Sequence, residues 1–144
     1  MNIRPGIGIN EIELGMSQTE LITTVGKPDK IISIELINDI RLIYNELMVT
    51  FCFSLNEENK LYLIECTNPE IRLWNQKIIG MGRDDLVQLL HKHEMIRIEY
   101  YDYEIFEVIY CEDIGVEFIL EFNIVQKVTI GVLFDATGEI KWNQ

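Results

Sequence analysis

Basic side chains are scarce in this chain: 12 Lys and Arg stand against 24 Asp and Glu, for a formal net charge of −12. That balance disfavours binding to a phosphate backbone, which needs clustered cations. It also disfavours an anionic membrane surface and favours encounter with a basic partner. Cysteine is nearly absent too. Cys52, Cys66 and Cys111 are odd in number and show no CxxC spacing. They fit reduced thiols, not a disulfide frame. The stretch Met1–Gly6 has no apolar core and no small-residue cleavage site. No apolar run approaches the ~18 residues of a membrane span. The expectation from these absences is a cytoplasmic protein bound to neither nucleic acid nor membrane.

What is present is enough for a core. The 144 residues are 48% hydrophobic, which argues for a folded globule without metal or disulfide support. The first clear element begins at Ser17. Its side chain can accept from the free N–H groups of a first helical turn, and Glu20 can reach back to the Ser17 N–H. Met16 and Leu21 have the spacing of a hydrophobic staple. Leu21, Ile22 and Val25 form an apolar stripe, and Gly26 and Pro28 stop the helix. From Lys30 to Cys66 the pattern changes to strands, with alternating Val49, Phe51 and Phe53 as the clearest case.

The helix entry recurs. Leu14-Gly15-Met16-Ser17 and Ile79-Gly80-Met81-Gly82 lie 65 positions apart, and Glu20-Leu21-Ile22 and Asp85-Leu86-Val87 keep that offset. A second helix is expected from Arg83 to His91 or His93, followed by strands near 95–102, 104–111, 115–122 and 125–133. Further matches pair Ile43–Glu46 with Ile109–Glu112, Val49–Phe51 with Val116–Phe118, Lys60-Leu61 with Lys127-Val128, and Trp74–Gln76 with Trp142–Gln144. The expectation is a duplication. The fold class read from it is α+β: two tandem helix-plus-antiparallel-strand repeats, 1–76 and 77–144, forming one sheet with the helices on one face. Val49, Phe51, Phe53, Val116, Phe118 and Leu120 should face the helices. Thr50, Cys52, Glu117, Ile119 and Glu121 should face away, joined by Tyr62 and Ile64.

The segment Ile12–Asp29 combines a Leu-Gly-Met-Ser entry, a Glu-Leu-Ile helix and a Val-Gly-Lys-Pro-Asp exit. It resembles the helix entry of beta-lactamase-inhibitor-protein-like domains, a unit shared with small outer-membrane-assembly lipoproteins of the SmpA/OmlA type. Two tandem copies are most similar to the inhibitor arrangement. The resemblance implies helices on one side and a concave sheet face that grips a protein partner. The secreted inhibitors carry disulfides and the lipoproteins a lipid-bearing cysteine, and this sequence has neither feature. The resemblance therefore supplies the architecture and the binding face, not beta-lactamase as the target.

Residues with catalytic potential have simpler explanations. His91 and His93 are two apart on a helix and face different ways, poorly placed to share a metal. The cysteines sit in strand patterns, where a small buried side chain is usual. Glu117 and Glu121 are separated by roughly 13 Å along a strand, too far for a two-carboxylate centre. Gly80-Met81-Gly82 lacks the Lys-Ser/Thr of a phosphate loop. No catalytic residue, metal ligand or cofactor is expected. Tyr100–Glu104 is the most distinctive stretch, with aromatic and acidic side chains interleaved. Tyrosines give rigid contact area and carboxylates select Arg and Lys. The expected partner-binding set is Tyr62, Glu99, Tyr101, Tyr103, Glu117 and Glu121. The functional expectation is a non-enzymatic inhibitor with a basic protein partner, in concrete form an immunity protein neutralising a toxin enzyme. A small-molecule or enzymatic pocket between the repeats, and a structural module or homodimer, are the alternatives.

Overall fold

A computed structural model describes residues 1–142. The chain opens with three two-residue strands, β1 (Ile3–Arg4), β2 (Gly8–Ile9) and β3 (Ile12–Glu13), which pair in a small antiparallel sheet. Helix α1 (Gln18–Val25) follows. The Ser17 Oγ accepts from the Glu20 N–H at 3.1 Å, and a Glu20 carboxylate oxygen accepts from the Ser17 N–H at 3.4 Å. Gly26 closes the helix at φ 100°, its N–H donating to the Ile22 carbonyl. Ser17→Ala is expected to cost about 1 kcal/mol, read as a lower urea midpoint; an unchanged midpoint would remove the capping box from the account.

Four longer strands come next: β4 (Lys30–Ile34), β5 (Asp39–Tyr44), β6 (Val49–Ser54) and β7 (Lys60–Cys66). A short hairpin, β8 (Arg72–Leu73) and β9 (Gln76–Lys77), turns through Trp74 and Asn75, both at positive φ. Helix α2 (Arg83–Lys92) has Asp84 and Asp85 in its first turn and His91 and Lys92 in its last, the signs the helix dipole favours at each end. Then come β10 (Ile98–Asp102), β11 (Glu107–Cys111), β12 (Val116–Glu121) and β13 (Ile124–Gly131). A final hairpin pairs β14 (Leu133–Phe134) with β15 (Ile140–Lys141).

The eight long strands form one antiparallel sheet in the order β10-β11-β12-β13-β7-β6-β5-β4. Its register sets two parallel rows across all eight strands. One row is Ile31, Leu42, Phe51, Ile64, Ile130, Val116, Cys111 and Ile98. The neighbouring row, one residue along and on the other face, is Lys30, Ile43, Thr50, Glu65, Thr129, Glu117, Tyr110 and Glu99. From Leu42 to Cys111 the first row joins Leu21 of α1 and Leu86 and Leu90 of α2 in one buried cluster; Ile98 packs against it, and Ile31 on the edge strand is exposed. Each fully buried leucine contributes about 1.5–3 kcal/mol, which lets helices of 8 and 10 residues persist below the length at which isolated helices are stable.

The α+β expectation of two helix-plus-strand repeats is overturned. The chain is mainly β: 45% of it is strand and 17% helical. The seam between β7 and β13 is an ordinary ladder, Cys66↔Val128 through Leu63↔Gly131, so the eight strands form one continuous sheet. Three small sheets outside it have no place in a helix-plus-strand unit. One of the short letter matches does not carry over to the sheet, because a strand side chain's face depends on its position to within one residue. Ile43-Tyr44 and Ile109-Tyr110 match as letters, yet Tyr44 is buried against Phe51 on the helix side while Tyr110 lies in the opposite row with Glu117 and Glu99. The last match extends to Asn143 and Gln144, which lie outside the described residues. Ile64 was expected on the open face and is instead fully buried opposite Phe51 and Ile130. The cause is a bulge: Cys52 faces Leu63 but Phe53 faces Leu61, leaving Tyr62 as an extra residue.

Candidate functional site

The face away from the helices divides into two chemically different halves. In the half built on β5–β7 and β13, charges are matched internally. Asp39, the first residue of β5, is only 2% exposed. It accepts a 2.6 Å hydrogen bond from the Tyr62 hydroxyl and lies 3.7 Å from the Arg41 guanidinium. Glu65 stands between Arg41 at 3.7 Å and Lys127 at 3.9 Å. Burial, and then the Asp39 carboxylate, push the Tyr62 phenol well above its ordinary range. Cys52 is fully buried on this side. Burial first, and Glu65 next, raise its thiol to about 12. Such a thiol is inert as a nucleophile near neutrality.

The half built on β10–β12 is acidic, aromatic and exposed. Glu99 and Tyr101 alternate onto this face. The Tyr101 hydroxyl donates to the Glu99 carboxylate, and that bond is the main reason the phenol is held above its ordinary range. Tyr103 stacks on Tyr101 with centroids 6.4 Å apart, and Phe106 stacks on Tyr103 at 5.0 Å. Tyr101 and Tyr103 remain 42% and 54% exposed despite the stacking. Among the described residues, no ion pair forms at Glu99, Asp102, Glu104 or Glu121. Glu117 is half-buried. Burial, reinforced by Glu65 and opposed by Lys127, raises its carboxyl above the ordinary range.

The expected binding residues are therefore not one cluster. Glu99, Tyr101 and Tyr103 come together. Glu117 is in the same cross-strand row as Glu99, with Tyr110 between them. Tyr62 is turned towards Asp39, but it lines a groove of about 270 Å³ with Tyr110, Glu117 and Phe134. Glu121 stands apart at the end of β12, beside the Phe122-Asn123 turn. Three contributors were missed. Tyr110 had a signal, since it alternates with buried Ile109 and Cys111. Phe106 lay inside the strand expected over 104–111, and nothing in its neighbours singled it out from a core residue. Asp39 read as a turn residue, because nothing local announces a carboxylate held by Tyr62 from two strands away.

Neither histidine meets a metal set. His93 caps α2 and stacks on Trp74 with centroids 3.9 Å apart. Among the described residues, no group of three or more His, Cys, Asp or Glu side chains is arranged to hold a metal. No helix among them is long and apolar enough to cross a membrane.

No protein-family model and no curated protein matches the chain. Among solved structures, the chain is similar to an extracellular protein containing an SCP domain from Bacillus anthracis, with a TM-score of 0.50 and 13% identity. The match covers 88% of this chain, and this chain spans about half of that protein, 49%. At that identity the likeness concerns the fold alone.

Proposed function

We propose that the protein is a binding inhibitor whose acidic, tyrosine-bearing sheet face occupies a basic surface on another protein. Its concrete form is a cytoplasmic immunity protein that neutralises a toxin enzyme. The observation that supports this reading most directly is the exposed stack of Tyr101, Tyr103 and Phe106, set beside Glu99 and Glu104, which are in no ion pair among the described residues. Tyrosine at the centre of an interface commonly carries 2 kcal/mol or more of binding, roughly thirtyfold in affinity. Unpaired carboxylates at its rim act on encounter rate more than on lifetime. The net charge of −12 adds long-range attraction to a basic enzyme cleft.

The test is co-expression with a toxin enzyme encoded beside this gene. Protection of growth and a measurable complex are expected. Tyr101→Ala should weaken that complex about thirtyfold, mainly through faster dissociation. Glu99→Lys should slow association and flatten its salt dependence, while Glu11→Lys, at an exposed site on the N-terminal segment, leaves both unchanged. A complex indifferent to Tyr101→Ala and Glu99→Lys would end this reading. The groove between Tyr62, Tyr110, Glu117 and Phe134 favours a small-molecule site as the second reading. A ligand displacing solvent there would shift the Tyr110 ring resonances and leave Tyr103 untouched.

A further inference from the structure

β10 closes one end of the eight-stranded sheet and has β11 on one side only. Which backbone groups it leaves free follows from two bonds at its ends. The Glu112 N–H donates to the Arg97 carbonyl at 2.8 Å, and the Tyr103 N–H donates to the Phe106 carbonyl at 2.9 Å. Hydrogen-bonded pairs alternate with unbonded ones in an antiparallel ladder. Both ends give the same phase: Arg97, Glu99, Tyr101 and Tyr103 direct their backbone groups to β11. Ile98, Tyr100 and Asp102 therefore direct their N–H and C=O groups away from the sheet.

Exposed edges in natural proteins are usually blunted by lysine, proline, a bulge or a covering segment. The opposite edge strand, β4, starts at Lys30 just after Lys27 and Pro28. β10 has none of these. Its sequence is Ile-Glu-Tyr-Tyr-Asp, its register with β11 runs unbroken from Ile98↔Cys111 to Asp102↔Glu107, and it is exposed along most of its length. The charges it carries are acidic and exposed. Glu99 lies on one face of the strand and Asp102 on the other, with Glu104 just beyond. Tyr101 flanks Glu99. Tyr100, on the helix side, already has the Arg83 guanidinium 5.6 Å from its ring centre, so this edge accommodates a cation over an aromatic face.

We infer that β10 is a strand-addition site: an extended, basic segment of the partner protein pairs with Ile98, Tyr100 and Asp102 and becomes a ninth strand. This rests on the protein-binding reading above and names how that partner engages. Backbone pairing supplies affinity that is independent of side chains, and alternate side chains supply selection. A Lys or Arg on the added strand lies within cross-strand reach of Glu99 on one face and Asp102 on the other. Its methylene stem packs on Tyr101 or Tyr100 while its head reaches the carboxylate. A second copy of this chain is the less suited occupant, because it brings another −12 charge to the same edge.

The probe is a capped peptide, acetyl-Lys-Val-Arg-Val-Lys-Val-amide, titrated to about 1 mM, the weak end of specific recognition. The readout is amide hydrogen exchange in the full chain. The free protein should show fast exchange at Ile98, Tyr100 and Asp102 and slower exchange at Glu99 and Tyr101. Peptide should slow the first three at least tenfold. N-methylation of one alternate set of peptide amides should abolish the effect, and methylation of the other set should spare it. The Glu-for-basic analogue of the peptide should not bind. Tyr100→Pro, which removes an outward N–H and spares the bonds to β11, should lose the peptide. No binding, binding with unchanged exchange at those three residues, equal binding of the acidic analogue, or indifference to both methylated sets overturns the inference. The two proposals separate cleanly. If the toxin complex is weakened by Tyr101→Ala but not by Tyr100→Pro, the edge inference fails and the face reading stands. If the peptide protects the edge while no toxin is bound, the face reading fails and the edge inference stands.

Discussion

Replacing Phe118 by alanine is expected to lower stability by about 4 kcal/mol. Phe118 is fully buried and is one of the two largest side chains in that state, with Phe53. It sits on β12 between Ile109 of β11 and Val128 of β13, both also fully buried. The cavity left behind would be walled on two sides by hydrogen-bonded strands, which resist collapsing into it. Where neighbours cannot relax, the cavity adds to the lost transfer energy. Domains of this size have about 5–15 kcal/mol in total, so the variant should lose a large part of its margin. Urea denaturation followed by far-UV circular dichroism measures it. A loss under about 1 kcal/mol would mean that the strands close over the gap, and the packing described for β11–β13 would be wrong.

Raising the pH is expected to destabilise the fold from about pH 9 upwards, well before lysine titrates. The groups responsible are buried and hold their protons more tightly in the fold. Burial raises the Cys52 thiol from 9.0 to about 12 and the Cys111 thiol to about 11, and it raises Cys66, Tyr44 and Tyr62 as well. Between the unfolded and folded values, the unfolded chain releases a proton that the native chain keeps. The stability these groups lend is therefore complete below pH 9 and is lost as pH climbs towards their folded values. One such group costs up to about 1.4 kcal/mol per pH unit, so Cys52 alone amounts to about 3 kcal/mol near pH 11. Urea midpoints at about pH 8, 9.5 and 11 should fall with increasing steepness. Cys52→Ala should make the alkaline limb shallower. A midpoint constant over that range would show that these side chains meet solvent.

The parts of this molecule legible in its sequence were those whose physics is local. Ser17 and Glu20 announce a helix start because both partners lie within one turn, and both bonds are present. Val49, Phe51 and Phe53 announce a buried strand face by their alternation, and all three are buried. The sheet order was not legible in the same way. It depends on β7 meeting β13 across more than sixty residues of chain, and no local pattern encodes that choice. The bulge beside Cys52 was hidden for a related reason. Leu61-Tyr62-Leu63-Ile64 is apolar throughout, so nothing marks where the alternation skips, and Ile64 was placed on the wrong face. At the candidate site, Tyr101 and Tyr103 were visible as an unusual tyrosine run. The tie from Tyr62 to Asp39 was not, because it joins a bulge residue to the start of a strand 23 positions earlier.

The two neighbouring rows across the sheet impose something like a reading frame on the chain. One row places Leu42, Ile64, Ile130 and Val116 in the core, and the next places Thr50, Glu65, Thr129 and Glu117 outside it. Deleting a single codon near the start of β7 or β12 would exchange the two sets over the rest of that strand and bring Glu65 or Glu117 towards the helices. Length changes are tolerable only where no ladder crosses, as at the tips around residues 56–58 and residues 104–105, just beyond the last cross-strand bonds at Leu55 and Tyr103. Relatives of this chain should therefore differ in length at those tips and keep their strand lengths fixed, except where a compensating bulge restores the phase.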